Sequence, residues 1–259
     1  MSLKAATLRF RVEAALAGRV ASPFEYRERR IAEAVPAGVP SLDALTGGLP
    51  RGSLTEVCGP PCSGRTSFLI STLASRTAAS EVCALVDAGD AFDPDSAGAA
   101  GVRLPQLLWV RCRNAEQALR SADLLLQGSG FGLIALDLSD IPPPVVRSVP
   151  LQVWFRFRRA VESTPTIFIL LEQESNAKSC ASLVLRLEAR ETQWLPTSAS
   201  GGIVAPHSPG CLLGGWRSHA ETIRSLSQQE NPRLISPGAA LGDARAEGAD
   251  FQARVVWRA

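Results

Sequence analysis

Residues 59–67, GPPCSGRTS, decide how the rest of the chain is read. A glycine, four residues, a second glycine, a basic residue and a threonine form the spacing of a phosphate-binding P-loop. Such a loop works because backbone N–H groups converge on an anion while the following helix presents its N-terminus to it. Gly59 and Gly64 permit the turn, and Thr66 is placed to ligate Mg²⁺. Pro60, Pro61, Cys62, Ser63 and Ser67 complete the cradle. The basic residue is Arg65, where the pattern asks for lysine. A guanidinium is planar and forked, so it does not take the place of a compact ammonium unless the loop or the phosphate moves. Weak nucleotide binding with slow or absent hydrolysis is the expectation. Of 27 basic residues only Lys4 and Lys178 are lysines. A general preference for arginine accounts for the origin of Arg65 and leaves the changed geometry in place.

The flanking sequence supplies the context a P-loop requires. Upstream, SLDALTGGLPRGSLTEVCG (41–59) reads as a short helix capped at Ser41, a break at Gly47-Gly48 and a strand ending at Cys58. Downstream come a helix over 66–79, a buried strand within 81–88 and a strand over 107–112. Asn114 then caps a helix with Ala115, Ala118, Leu119, Ala122, Leu125 and Leu126 on one face. A strand over 131–138, a helix within 145–163 and strands over 166–171 and 182–190 follow. Strands alternating with helices imply an α/β fold, a mostly parallel sheet flanked by helices on both faces. Asp137 closes the apolar run Leu133–Leu136, the form of a strand-end carboxylate that supports Mg²⁺ or its waters. The competing reading is an aspartate that merely caps a strand.

The bulk numbers exclude several classes. With 46% hydrophobic and 20% charged residues the composition is that of a globular protein. No apolar run approaches the ~20 residues of a membrane span, and charges interrupt the first segment, so a cytoplasmic protein without membrane contact is expected. A net charge of +2 provides no basic field for nucleic acid. The cysteines lack CxxC spacing and read as small hydrophobes. His207 and His219, the two histidines, suggest no metal site.

Three divisions are expected: 1–35, an amphipathic helix around Leu8–Leu16 with a linker; 36–195, the core; and 196–259, a Pro/Gly/Ser-rich linker, a variable tail and a terminal strand within 251–259. The first helix packs either on its own core or on a second copy. WFRFRR (154–159) places Leu151, Trp154, Phe155 and Val161 on an apolar arc opposite Arg156 and Arg159, either core packing or a nucleic-acid or partner surface.

On these residues the chain resembles the RecA-like P-loop family. The similarity runs through GVPSLDALTGGLPRGSLTEVCGPPCSGRTS (38–67), VDAGDAFDP (86–94), NAEQAL (114–119), the Asp137 strand and SNAKSCASLVLRLEAR (175–190). It implies a RecA-like core that takes ATP and Mg²⁺. Where the family has the glutamate that activates the attacking water, this chain has Gly89, with Asp90 one residue out of register. Asp93 matches the adenine-side aspartate, while Ser96 replaces the aromatic residue that stacks on the base. Both DNA-binding loops are short: SDIPPPVVRSV (139–149) and EQESNAKSC (172–180), with Gln173 near the family's glutamine switch. A RecA-like chain with these losses resembles the ImuA family of accessory proteins in translesion synthesis. That resemblance implies weak or vestigial ATP binding and weak or indirect DNA binding. It also implies contacts with a DNA polymerase or other repair proteins through residues 196–259. The alternative it leaves is an active, DNA-dependent ATPase in which Asp90 serves as the catalytic carboxylate.

Overall fold

A computed structural model describes residues 33–196, 211–225 and 248–254. The expected helix around Leu8–Leu16 and much of the expected linker and tail lie outside them. β1 (Ala34–Val35) and β2 (Leu49–Pro50) pair antiparallel around α1 (Pro40–Thr46). Then come β3 (Ser53–Cys58), the P-loop, α2 (Arg65–Ala78), β4 (Cys83–Asp87), α3 (Pro94–Ala99) and β5 (Leu107–Arg111). α4 (Ala115–Gln127), β6 (Leu133–Asp137), α5 (Pro143–Arg147), α6 (Leu151–Glu162) and β7 (Ile167–Glu172) continue the alternation. β8 (Leu183–Pro196), β9 (Cys211–Ser225) and β10 (Gly248–Arg254) complete one sheet in the order β10-β9-β8-β3-β7-β6-β4-β5. β8, β3, β7, β6, β4 and β5 are parallel; β9 and β10 extend the sheet antiparallel.

The central strands read as continuous apolar runs because both faces are covered. Side chains alternate between two cores. Val57, Leu85, Ala135, Ile169 and Leu171 pack with Phe68, Leu69 and Leu73 of α2 on one face. Leu54, Val86, Ile134, Phe168 and Leu170 pack with Ala118 and Ala122 of α4 and Trp154, Phe157 and Val161 of α6 on the other. α4 starts at Asn114, whose side chain accepts from Gln117 N at 2.9 Å while Gln117 Oε1 accepts from Arg113 N at 3.0 Å, a reciprocal cap.

The fold corrects the sequence reading at four places. Val39, not Ser41, precedes the first turn of α1, and Asp43 reaches back to accept from Ala37 N at 2.6 Å and Gly38 N at 3.2 Å. In α6 it is Phe157, three residues from Trp154 and four from Val161, that is buried, whereas Phe155 is 40% exposed. Cys62 stands exposed in the P-loop, unlike the other cysteines whose burial is described. Residues 211–225 and 248–250 lie in β9 and β10 rather than in a linker or irregular tail. The inward positions of β9 include Ser218 and Ala220, both fully buried, so small side chains hide its alternation. Register shifts along β8 and β9 obscure it further.

Candidate nucleotide site

In an open parallel sheet, ligand groups gather beyond the carboxyl ends of the strands. Here the chain leaves β3 at Cys58, one strand from β7 and two from β6, whose last residue is Asp137. Asp137 pairs in register with Asp87, the last residue of β4. The P-loop therefore faces a row of strand ends that carry carboxylates.

The loop turns into α2 at Gly64, which has φ +98°. A Cβ there would stand 2.7 Å from Ser218 Oγ of β9 and 2.9 Å from the Phe251 ring of β10, so only glycine fits between the loop and the antiparallel strands. Ser63 N donates to Pro60 O at 3.2 Å and closes the loop. No side chain caps the start of α2. Its first amides are thus directed at whatever anion the loop holds.

Arg65 is 7% exposed, and its Nη1 has no hydrogen-bond partner. Burial pulls its pKa down, while Asp137 first and then Asp140 hold it up. Ser63 Oγ is also buried without a partner. Thr66 is exposed, as are Pro60, Pro61 and Cys62; Gly59 is buried and Ser67 half-buried. Burial pushes the Asp137 carboxyl up, partly offset by Ser139, whose N donates to Asp137 Oδ1 at 2.9 Å.

These features fit a magnesium-bound nucleoside triphosphate. A buried guanidinium N–H without an acceptor costs about 1–3 kcal/mol, and a phosphate oxygen removes that penalty. Arg65, Ser63 and the α2 amides would hold phosphate, and Thr66 and Asp137 the cation. Magnesium there supplies charge neutralisation of the phosphate oxygens.

The other expected residues are engaged differently. Asp90, at φ +54°, receives Arg111 Nε at 2.6 Å and Nη2 at 2.5 Å, and the Arg111 hydrogen bond holds its carboxyl below the usual range. Asp93 caps α3, accepting from Asp95 N at 3.3 Å, Ser96 N at 3.1 Å and the Ser96 hydroxyl. The two positions expected to face the base are thus bonded to each other. Gln173 Nε2 donates to Ser139 O at 2.9 Å, tying the loop after β7 to the loop after β6.

Two groups escaped the sequence reading. Asp87, 2% exposed, accepts from Gly89 N at 3.1 Å, Ala91 N at 3.3 Å, Phe92 N at 3.0 Å and Trp109 Nε1 at 3.3 Å, and so fixes the 88–92 turn. An aspartate ending an apolar strand before a Gly-containing turn was its available signal. Glu56 and Glu172, both fully buried, hold the 175–177 segment. Glu56 accepts from Ser175 Oγ at 2.7 Å, Asn176 N at 2.6 Å and Ala177 N at 2.8 Å; Glu172 accepts from Asn176 N at 2.9 Å and Nδ2 at 3.1 Å. Burial and then Glu56 push the Glu172 carboxyl far above the carboxylate range. A cleft of about 640 Å³ lies alongside, lined by Gly59, Pro60, Gln173, Ser175, Arg186 and Glu188 among others. Among the described residues no cluster of His, Cys, Asp and Glu is arranged to hold a metal by itself, and no helix is long and apolar enough to cross a membrane.

A strand–P-loop–helix unit facing strand-end carboxylates in a mostly parallel sheet defines a P-loop α/β protein. Over part of its length the chain is similar to RecA. The RecA N-terminal domain model matches residues 20–143. Protein RecA of Leifsonia xyli subsp. xyli is 39% identical over 112 residues, which are 42% of this chain and 31% of that protein. Protein RecA of Cutibacterium acnes is 40% identical over 106 residues, 40% of this chain and 30% of that protein. The crystal structure of the RadB recombinase superposes with a TM-score of 0.53 at 18% identity, covering 73% of this chain and 89% of that one, which shows the shared fold. The matched stretch thus spans about 30% of the RecA proteins it resembles.

Proposed function

We propose that this RecA-like protein is an accessory factor of the bacterial DNA-damage response, similar to ImuA. It serves translesion synthesis through contacts with a polymerase or another repair protein. It binds MgATP weakly at the P-loop and turns it over slowly at most. Residues 196–259 face the partner in this reading, and DNA contact is weak or indirect.

The observation that carries it is the state of the two loops leaving β6 and β7. A recombinase needs mobile loops there to hold DNA. In this chain the second is reduced to residues 173–182, and its 175–177 stretch is gripped from below by Glu56 and Glu172. Gln173 joins it to the first loop. Asp90, the carboxylate an active ATPase of the resembled kind would have to use in place of Gly89, is already held by Arg111 at both oxygens, which weighs against that alternative.

The test is ATP turnover by the purified protein with and without single-stranded DNA, with filament formation followed by light scattering. Turnover that DNA does not raise, and no filaments, are expected. Brisk DNA-stimulated turnover with filaments would replace this reading by that of a recombinase-type ATPase.

A further inference from the structure

Position 89 has no side chain, and the space one would fill is taken by Asp140. A Cβ built on Gly89 stands 2.6 Å from Asp140 Oδ2 and 2.7 Å from Asp140 Cβ. Asp140 comes from the loop after β6, three residues beyond Asp137, and the residue before it is fixed at both ends. Ser139 N donates to Asp137, and Ser139 O accepts from Gln173.

The other acids along this edge are engaged. Asp87 accepts four donors, Asp90 is held by Arg111, Asp93 caps α3, and Asp137 accepts from Ser139. Asp140 is exposed and, among the described residues, receives no hydrogen bond or ion pair. Its electrostatic neighbour is Arg65, more than nine-tenths buried with an unpartnered Nη1. An orphaned guanidinium N–H in the field of Asp137 and of the unpaired Asp140 carboxylate describes a place for phosphate with a base on the same strand-end edge.

We propose that Asp140 is the catalytic carboxylate of slow ATP hydrolysis at this P-loop, supplied from the β6 loop into the space that Gly89 leaves open. The inference rests on the nucleotide-binding reading above. A water held by Asp140 attacks the γ-phosphorus, and its proton passes to the carboxylate. The bond from the γ-phosphorus to its bridging oxygen breaks, and that electron pair leaves on ADP. Asp140 then returns the proton to solvent.

Asp140→Asn and Gly89→Ala separate the possibilities. Each is assayed for binding of a non-hydrolysable ATP analogue with Mg²⁺ and for single-turnover hydrolysis. Wild type is expected to bind the analogue and hydrolyse ATP slowly. Asp140→Asn should lower the rate by about 10²-fold, the lower end of what a positioned base contributes. Gly89→Ala should do the same although it removes no functional group, because its Cβ displaces the carboxylate. Both variants should bind the analogue within about threefold of wild type, less than one lost hydrogen bond is worth. Wild type that binds without turnover, or either variant hydrolysing at the wild-type rate, would overturn the role of Asp140 alone. Absence of binding by wild type would overturn the nucleotide-binding reading and the proposal with it.

Discussion

Replacing Glu56 with alanine removes the buried acceptor for three donors: Ser175 Oγ, Asn176 N and Ala177 N. The donors do not suffer equally. Asn176 N keeps Glu172 Oε1 at 2.9 Å, and the Ser175 hydroxyl is free to rotate, so each loses roughly the ~1 kcal/mol of an ordinary hydrogen bond. Ala177 N lies on a fully buried residue and would be orphaned, at about 1–3 kcal/mol. Glu172 would also lose its partner. The sum is about 3–5 kcal/mol, a large share of the ~5–15 kcal/mol that holds a domain together. Urea unfolding should therefore show a lower midpoint at an unchanged slope. Ser175→Ala, which touches one bond of the set, should cost only about 1 kcal/mol. A Glu56→Ala protein within about 1 kcal/mol of wild type would refute the claim that the buried carboxyl pair anchors this segment.

Three further outcomes are expected. Gly64→Ala forces a side chain into a left-handed position against Ser218 and Phe251, and should destabilise by about 1–3 kcal/mol while abolishing nucleotide binding, as thermal melts with and without MgATP would show. Phe157→Ala should cost about 3–5 kcal/mol in chemical denaturation, whereas Phe155→Ala, already 40% exposed, should cost under about 1 kcal/mol. Burial and the neighbouring Glu56 raise the folded pKa of Glu172. The proton it keeps therefore favours the folded state fully below the ordinary carboxylate range, and that advantage is lost as pH rises toward the folded pKa. Glu172→Gln, which mimics the protonated form, should flatten the fall of melting temperature between pH about 6 and about 9, a fall worth up to about 1.4 kcal/mol per pH unit in wild type.

Much of the core was legible because its signals are local. Leu133–Leu136 before Asp137, Asn114 before α4 and the glycine spacing around Arg65 each depend on residues a few positions apart, and each lies where the pattern placed it. β9 was not legible, since its buried positions include Ser218 and Ala220, and neither side chain announces a strand. The α6 arc went astray by weighting Phe155, next to Trp154, over Phe157 one turn on. At the site, the strand–loop–helix placement of residues 59–67 and the strand end at Asp137 could be read in advance. The occupation of Asp90 by Arg111 and of the space beside Gly89 by Asp140 could not. Those depend on loops from different strands meeting at the carboxyl edge of the sheet, a meeting that no linear spacing encodes.

The central claim is that Arg65 serves a phosphate in a P-loop that still binds nucleotide. Calorimetric titration of wild type and Arg65→Ala with a non-hydrolysable ATP analogue and Mg²⁺ tests it most directly. Saturable, Mg²⁺-dependent binding by wild type is predicted, weakened in Arg65→Ala by about 10- to 150-fold, the worth of a charge-assisted hydrogen bond of about 1.5–3 kcal/mol. No binding by wild type, or equal binding by the two proteins, would contradict it.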